Sequence, residues 1–360
     1  MKALITAGGR GTRLRPLTFS SNKHFIPLAN KPLLFYAVET IASVGIKKIG
    51  INYNPGQLEE IKGHLGTGSK WGVKFTYILQ EAPLGLAHII KVSEPFLGKD
   101  RFVMHLGDNI FCGGIKQLVN HFLKRKLNAL APVLHHSENW RLGVPYFDKK
   151  GKLVKYMEKP KRPPHDLAVP GLYFFDHSVF GCFKGKDAIK PSARGELEIS
   201  SAYQWLIDHG YNVGTVEFKG AWRDPGKFDD WLDANRFLLD VDLKSNRYNF
   251  GADVKIEGRV KIGKKCQIRN SVLRGPSIIG NNVVIEDSFI GPYSSVGDNC
   301  RILGSNVGNS VLMEGVCINY SGKPLDSCLI GKGTIVEGNN RLLGNIGLFV
   351  GNQCVLKLGD

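Results

Sequence analysis

The chain has no long apolar run. Its longest stretches, such as Leu130 to Leu134, fall far short of the about 18 residues that a membrane helix needs. No membrane partner is therefore expected. The apolar start, Met1 to Ala7, is too short for a secretory core and runs directly into Gly8, Gly9 and Arg10. A cytoplasmic, soluble protein is the expectation. Cysteine is sparse as well: seven residues, an odd number without paired spacing, which favours free thiols in a reducing compartment over a disulfide framework. Acidic residues are outnumbered, 32 Asp+Glu against 48 Lys+Arg, so the net charge is +16. That excess points to solubility alone or to a polyanionic partner: nucleic acid, an anionic surface or phosphorylated small molecules. Apolar residues, at 42%, are too many for a disordered chain. At roughly 150 residues per domain, the length allows two or three domains.

Composition changes near Val241 to Phe250. All ten histidines lie at or before His209, whereas Cys266, Cys300, Cys317, Cys328 and Cys354 fall in the last third. Glycine is denser there, 18 in the last 120 residues against 25 in the first 240. Lys244-Ser245-Asn246-Arg247 reads as a connector.

The first part alternates strands and helices. Ala3–Ala7, Ile46–Asn52, Phe75–Gln80 and Phe102–Leu106 read as strands. Pro32–Val44, Gln57–Leu65, Gly85–Val92 and Gly114–Lys126 read as helices, with Pro32 and Gly45 suited to the two ends of the first. Such alternation predicts a mainly parallel sheet covered on both faces. Later, Leu153–Met157, Gly171–Phe175 and Val213–Phe218 read as strands, and Glu196–His209 and Asp229–Leu239 as helices.

The last part has a period of six. Ile256, Ile262 and Ile268 fit it, as do Ile279 and Ile285; Ile290, Val296 and Ile302; and Ile330, Val336, Leu342 and Leu348. One aliphatic side chain per short strand fills a narrow solenoid, whose coils bury their apolar faces only by stacking. Small side chains, cysteine included, fit beside that ladder. Asn319 to Ser327 breaks the period and reads as a loop thrown out from one coil. The pattern resembles the hexapeptide left-handed β-helix.

The first chemical constellation is Gly8-Gly9-Arg10-Gly11-Thr12-Arg13, directly after the first strand. Glycines let backbone N–H groups approach a phosphate or a base, and Arg13 adds a fixed cationic fork. No Gly-Lys-Ser/Thr closes a Walker loop, and Leu14 stands where a dinucleotide fingerprint needs its third glycine. With two further arginines nearby and Lys23, phosphate binding is the favoured reading.

The wider string from Ala7 through Arg15-Pro16-Leu17-Thr18 to Asn22-Lys23-His24-Phe25-Ile26-Pro27 resembles the signature of the sugar-1-phosphate nucleotidyltransferases. Gln80-Glu81-Ala82-Pro83-Leu84-Gly85, Leu106-Gly107-Asp108-Asn109, Glu158-Lys159-Pro160, Pro191-Ser192-Ala193-Arg194-Gly195-Glu196-Leu197-Glu198-Ile199 and Trp222-Arg223-Asp224-Pro225-Gly226-Lys227 follow in that family's order. The resemblance is to the longer branch that uses dTTP and glucose 1-phosphate and carries an appended β-helix. It implies an α/β catalytic domain with a Rossmann-like mixed sheet over residues 1–240, a linker over 241–252 and a left-handed parallel β-helix over 253–360.

The reaction it implies is attack of a sugar-phosphate oxygen on the α-phosphorus of a nucleoside triphosphate, with pyrophosphate leaving. The nucleophile is already an anion, so catalysis is positioning plus neutralisation of phosphate charge. By the resemblance, Asp108 and Asp224 bind Mg²⁺, Arg13 grips the triphosphate, and Lys23 meets the nucleotide phosphates. Lys159 and Arg194 hold the sugar phosphate; Gly143, Glu158 and Val169 contact the sugar. Gln80 reads the pyrimidine edge, and Gly8, Pro83 and Gly85 complete the base pocket, with Gly9, Gly11 and Thr12 in the nucleotide loop. Each residue type also has an ordinary use, aspartate as a cap and lysine as solvated charge. Two departures stand out. Pro225 replaces the threonine usual after the second metal aspartate, and Pro170 replaces the residue usual between Val169 and Gly171.

Other readings stay open. UTP differs from dTTP at the base by one methyl, worth about 1–3 kcal/mol. An acyltransferase function for the β-helix is disfavoured, because that family branch uses a histidine base and none follows His209. Oligomerisation or regulation suits the β-helix better, and a homo-oligomer is expected. Nucleic acid is not an expected partner: aromatics are not interleaved with the basic residues, and Lys124-Arg125-Lys126 ends a predicted helix, where cations suit the dipole. A catalytically dead paralogue fits poorly with Asp108, Asp224, Arg13 and Lys23 all present.

Overall fold

The computed structural model describes residues 1–9, 11–246, 248–338 and 345–358. It falls into two compact units, Met1–Gly9 with Leu34–Arg223, and Arg10–Leu33 with Asp224–Asp360. The elements before residue 130 are β1 (Lys2–Thr6), β2 (Pro27–Leu28), β3 (Lys31–Pro32), α1 (Leu33–Ser43), β4 (Lys48–Tyr53), α2 (Leu58–Leu65), β5 (Lys74–Leu79), α3 (Leu86–Val92), α4 (Glu94–Leu97), β6 (Phe102–Leu106), β7 (Ile110–Cys112) and α5 (Lys116–Lys124). Then come β8 (Ala129–His135), β9 (Gly143–Phe147), β10 (Leu153–Glu158), β11 (Leu167–Ala168), β12 (Leu172–Phe175), α6 (Ile199–Asp208), β13 (Val213–Glu217), β14 (Ala221–Arg223) and α7 (Phe228–Asp242).

The first unit is built on one sheet of order β11-β8-β12-β6-β1-β4-β5, with β13 beside β8. β6, β1, β4 and β5 are parallel. β4, β5 and β6 are each reached through a helical crossover, the usual link between parallel strands. β12 runs antiparallel to both β6 and β8, so the sheet is mixed. Past α5 the strands no longer alternate singly with helices; β8 and β13 keep the direction of β6, and β12 between β6 and β8 reverses it. The run Leu130–Leu134 belongs to β8, whose residues are buried up to Leu134, as expected of a strand covered on both faces. β9 and β10 form a separate antiparallel pair, and β14 pairs with β7.

The second unit joins β2, β3 and α7 to a left-handed β-helix of three parallel sheets. Ile256, Ile262 and Ile268 lie one on each sheet, six residues apart as the period predicts. The next coil begins five residues later at Leu273, which pairs with Ile256 and with Ile290. The coil is thus 17 residues there, because one corner is a residue shorter. The expected loop at Asn319–Ser327 is corrected: Cys317–Tyr320 and Leu325–Asp326 are both strands of the ladder. Ile318 keeps the ladder position, pairing with Ile302 and Val336, and the next ladder residue is Leu325, opposite Val307; the period breaks because this corner is two residues longer than the one from Ile302 to Val307. Leu342 lies outside the described residues; the last coil continues through Val350 and Leu356.

All seven cysteines are free thiols. Cys300 and Cys328 sit inside the ladder, where burial pushes them up to about 12 and about 11. Among the described residues no helix is long and apolar enough to cross a membrane.

Candidate functional site

Gly8, Gly9 and Gln80, the first-unit residues expected around the base, are tied together through Asn54. Its Oδ1 accepts from Gly9 N at 2.9 Å and its Nδ2 donates to Gln80 O at 3.0 Å. A Cβ on Gly8 would overlap Asn54 Oδ1, so the close approach needs glycine. Gln57 Nε2 donates to Gly9 O at 3.2 Å. Gln80 is buried, and its Nε2 lies 3.1 Å from Gly85 O and 3.2 Å from His88 Nδ1. Gly85 has φ +96°, and a Cβ there would meet Leu197 O at 2.5 Å. That contact exists because Leu197 brackets the loop, donating to Leu84 O at 2.8 Å and accepting from Ala87 N at 3.0 Å. Pro83 lies exposed at the loop apex.

Four sugar-site candidates meet at one corner. Gly143 opens β9 opposite Glu158 on β10. Val169 N donates to Gly143 O at 2.8 Å, and Lys159 N donates to Leu142 O at 2.9 Å. A Cβ on Gly143 would overlap the Tyr156 hydroxyl. Lys159 Nζ lies 3.8 Å from Glu158 Oε1. Burial pushes the Glu158 carboxyl above its ordinary value, against the opposing pull of Lys159. Arg194 is held by Glu198, whose Oε1 accepts from Arg194 Nη2 at 2.8 Å and from Ser192 Oγ at 2.8 Å. Glu198 is itself buried.

Asp108 follows β6. Gly107 N donates to Thr6 Oγ1 at 3.1 Å, and Asn109 Nδ2 donates to Asp108 Oδ1 at 3.0 Å. Trp222 Nε1 donates to Asn109 Oδ1 at 2.9 Å, which fixes that amide. Leu106 N donates to Gly171 O at 2.8 Å, so β6 meets the segment that carries Val169 and the buried Pro170.

Within the second unit, Thr12 opens a short helical turn that holds Arg13. Gly11 has φ +55°; a Cβ there would lie 2.9 Å from Thr18 Cγ2 and 3.1 Å from Lys23 Cβ. Thr18 Oγ1 donates to Gly11 O at 2.8 Å. Lys23 starts a turn capped by Asn22, which accepts from His24 N at 3.0 Å. Arg13 Nη1 and the Asp224 carbonyl lie 3.7 and 3.8 Å from the Cβ position of Gly226. Arg13 therefore borders the Asp224-Pro225-Gly226 segment. The loop is fastened to the rest of the unit. Asn235, buried on α7, accepts from Ala29 N at 2.9 Å and Ser295 Oγ at 2.8 Å, and donates to Tyr293 O at 3.0 Å. Asn30 Nδ2 donates to Val296 O at 2.6 Å, and Asn352 Nδ2 to Ser20 and Ser21 Oγ, each at 2.9 Å.

Sequence reasoning did not single out Asn54, Gln57, His88 or Asn235. Each is an ordinary polar residue whose partner is distant in the chain or carries no motif. Glu198 and Asn109 sat inside quoted motifs without a role.

Glycine-rich loops, a half-buried carboxylate beside a lysine, and a doubly anchored amide suit recognition of a nucleotide and a phosphorylated ligand. Residues 2–241 match the nucleotidyl transferase family, and the chain belongs to it as a nucleotide-transferring enzyme. Among its relatives is a glucose-1-phosphate thymidylyltransferase of Streptomyces antibioticus, 42% identical over 92% of each chain. The low-salt glycan biosynthesis nucleotidyltransferase of Haloferax volcanii is 38% identical over 99% of this chain and 100% of its own. A crystal structure from Bacillus anthracis, assigned as a glucose-1-phosphate thymidylyltransferase and in complex with a sucrose, superposes with a TM-score of 0.62 at 36% identity, covering 70% of this chain and 97% of that one.

Proposed function

We propose that this protein joins dTTP and glucose 1-phosphate into dTDP-glucose and pyrophosphate. The observation that carries this reading is the corner where Glu158 and Lys159 face Gly143 and Val169, with Val169 N on Gly143 O at 2.8 Å. A half-buried carboxylate can take two sugar hydroxyls, the glycine leaves room for a ring, and the adjacent ammonium suits the sugar's phosphate. The relatives named as thymidylyltransferases support the nucleotide.

In this reading an oxygen of the sugar phosphate attacks the α-phosphorus in line, and the bond to the β-phosphate oxygen breaks. Glu158 fixes the sugar, and Lys159 and Arg194 aim its phosphate. Arg13 and Lys23 neutralise the triphosphate, while Gln80 and the Gly8-Gly9 turn hold the base. No base catalyst is needed, because the attacking oxygen is already ionised.

Asp108 and Asp224 would hold Mg²⁺. Their hard oxygens fit that ion, which is usually taken by one or two carboxylates together with substrate phosphates. The ion would supply neutralisation of charge on the reacting and leaving phosphates.

The test is pyrophosphate release from a panel of nucleoside triphosphates against sugar 1-phosphates in Mg²⁺. The expected pair is dTTP with glucose 1-phosphate, with UTP the nearest competitor. No turnover with any pair would defeat the reading. Asp108→Asn and Asp224→Asn should each abolish turnover while thermal melting stays near wild type; near-normal rates would remove them from the metal site.

A further inference from the structure

The geometry points to His88 as a positioning residue that fixes which end of the Gln80 amide meets the base, and thereby admits pyrimidines that carry an N3–H. This rests on the reading of Gln80 as the residue facing the pyrimidine.

The orientation of the amide follows from its neighbours. Gly85 O can only accept, so the Gln80 atom 3.1 Å from it is the NH₂ nitrogen. The same nitrogen lies 3.2 Å from His88 Nδ1. Both amide hydrogens are therefore spent inside the protein. His88 Nδ1 must accept, which requires a neutral ring protonated on Nε2. Burial, with a smaller contribution from Lys91, pushes His88 below its ordinary value and favours that form. The main chain is equally constrained: Gln80 N donates to Tyr53 O at 2.8 Å, and Gln80 O accepts from Asn54 Nδ2 at 3.0 Å.

The side-chain atom left to face a base is Oε1, which can only accept. Thymine and uracil present an N3–H donor to it. Cytosine presents a lone pair at N3, so two acceptors would oppose each other without a proton between them. The device separates thymine and uracil from cytosine. It does not separate thymine from uracil, because the 5-methyl plays no part in it.

The experiment compares His88→Leu and His88→Ala with His88→Asn, whose Oδ1 can stand in for Nδ1 as acceptor. Thermal melting checks folding, and the two acceptor-free variants cover each other should one be poorly accommodated. The readouts are KM and kcat for dTTP and UTP, and Ki for dCTP as a competitor of dTTP. Leu and Ala should raise KM for dTTP and UTP about tenfold and leave Ki for dCTP unchanged or lower, with kcat within about threefold. The preference for dTTP over dCTP then narrows about tenfold, and Asn restores it. An unchanged ratio in the folded Leu and Ala variants overturns the assignment. So does an Asn variant that behaves like them, or a loss confined to kcat for both nucleotides. A wild-type enzyme inert toward dTTP and UTP with every sugar phosphate would instead sink the reading of Gln80 itself.

Discussion

His105 is a tightly confined ionisable side chain on the strand that leads to Asp108. It is fully buried on β6, its Nδ1 donates to Leu106 O at 2.7 Å, and its ring meets Phe111 edge-on at 5.0 Å. Burial pushes it from 6.5 down to about 4. The folded chain thus keeps the ring neutral at pH values where the unfolded chain protonates it. Its contribution to stability is complete above pH 6.5, falls as pH drops through that value toward 4, and levels off below. By pH 5 the loss should reach about 2 kcal/mol. Urea midpoints at pH 7.5 and pH 5 check this, and His105→Leu should flatten the acid limb; an equal acid loss in that variant would clear His105. Arg13, Lys23, Asp108 and Glu158 were candidates because they lie in short charged and glycine-rich motifs that carry the family resemblance. Asn54 and His88 were not. Each acts by completing another residue's hydrogen bonds, and nothing in its own type announces that.

At the scale of elements, the β9–β10 hairpin shapes the corner proposed to take the sugar. Glu158 stands opposite Gly143 because the two strands pair in that register, and the buried Tyr156 fills the space a side chain would need. Gly143→Ala should therefore displace Tyr156 and widen the hairpin, costing about 1–3 kcal/mol. KM for the sugar phosphate should rise at least tenfold, with a smaller change for the nucleotide. Steady-state kinetics in both substrates tests this; equal effects on the two would place the damage elsewhere. The hairpin was half legible. Leu153–Met157 follows strand chemistry, whereas β9 begins with glycine and contains Pro145, which hide it. The four parallel strands β1, β4, β5 and β6 and the helices α1, α2, α3 and α5 were readable from their alternation, whereas the short β2, β3, β7 and α4 were not. The reversal at β12 was not, since strand direction is set by which neighbour is available and leaves no local mark. In the β-helix the six-residue period showed the ladder, but two extra residues in the corner between Ile318 and Leu325 made a continuing coil read as a loop.

For the whole molecule, the change in composition near residue 241 matches the end of the family match at residue 241. The compact units divide elsewhere: the signature loop, Arg10–Leu33, and α7 belong with the β-helix. Composition reports how a segment is built, whereas compactness reports what it packs against, and the two differ for a short polar loop. Asn235 is the hub of that packing. Asn235→Ala would strand Ala29 N and Tyr293 O inside the unit, so a loss of roughly 2–3 kcal/mol is expected. Denaturant unfolding measures it, and turnover should fall as well because Arg13 and Lys23 ride on the loosened loop. Full activity in a destabilised Asn235→Ala protein would show that the loop holds its shape without this anchor.

A stack of repeats can ordinarily gain or lose a coil with little consequence beyond length. Here the signature loop is fastened at two heights on the stack, Asn30 at Val296 and Ser20 with Ser21 at Asn352 in the last coil. Removing one coil between them would bring the fasteners closer by about 4.8 Å, the spacing of neighbouring strands. The loop that carries Arg13 and Lys23 would then buckle. The number of coils therefore acts as a gauge length for the loop proposed to meet the phosphates, and the tail is free to vary only beyond its last fastener.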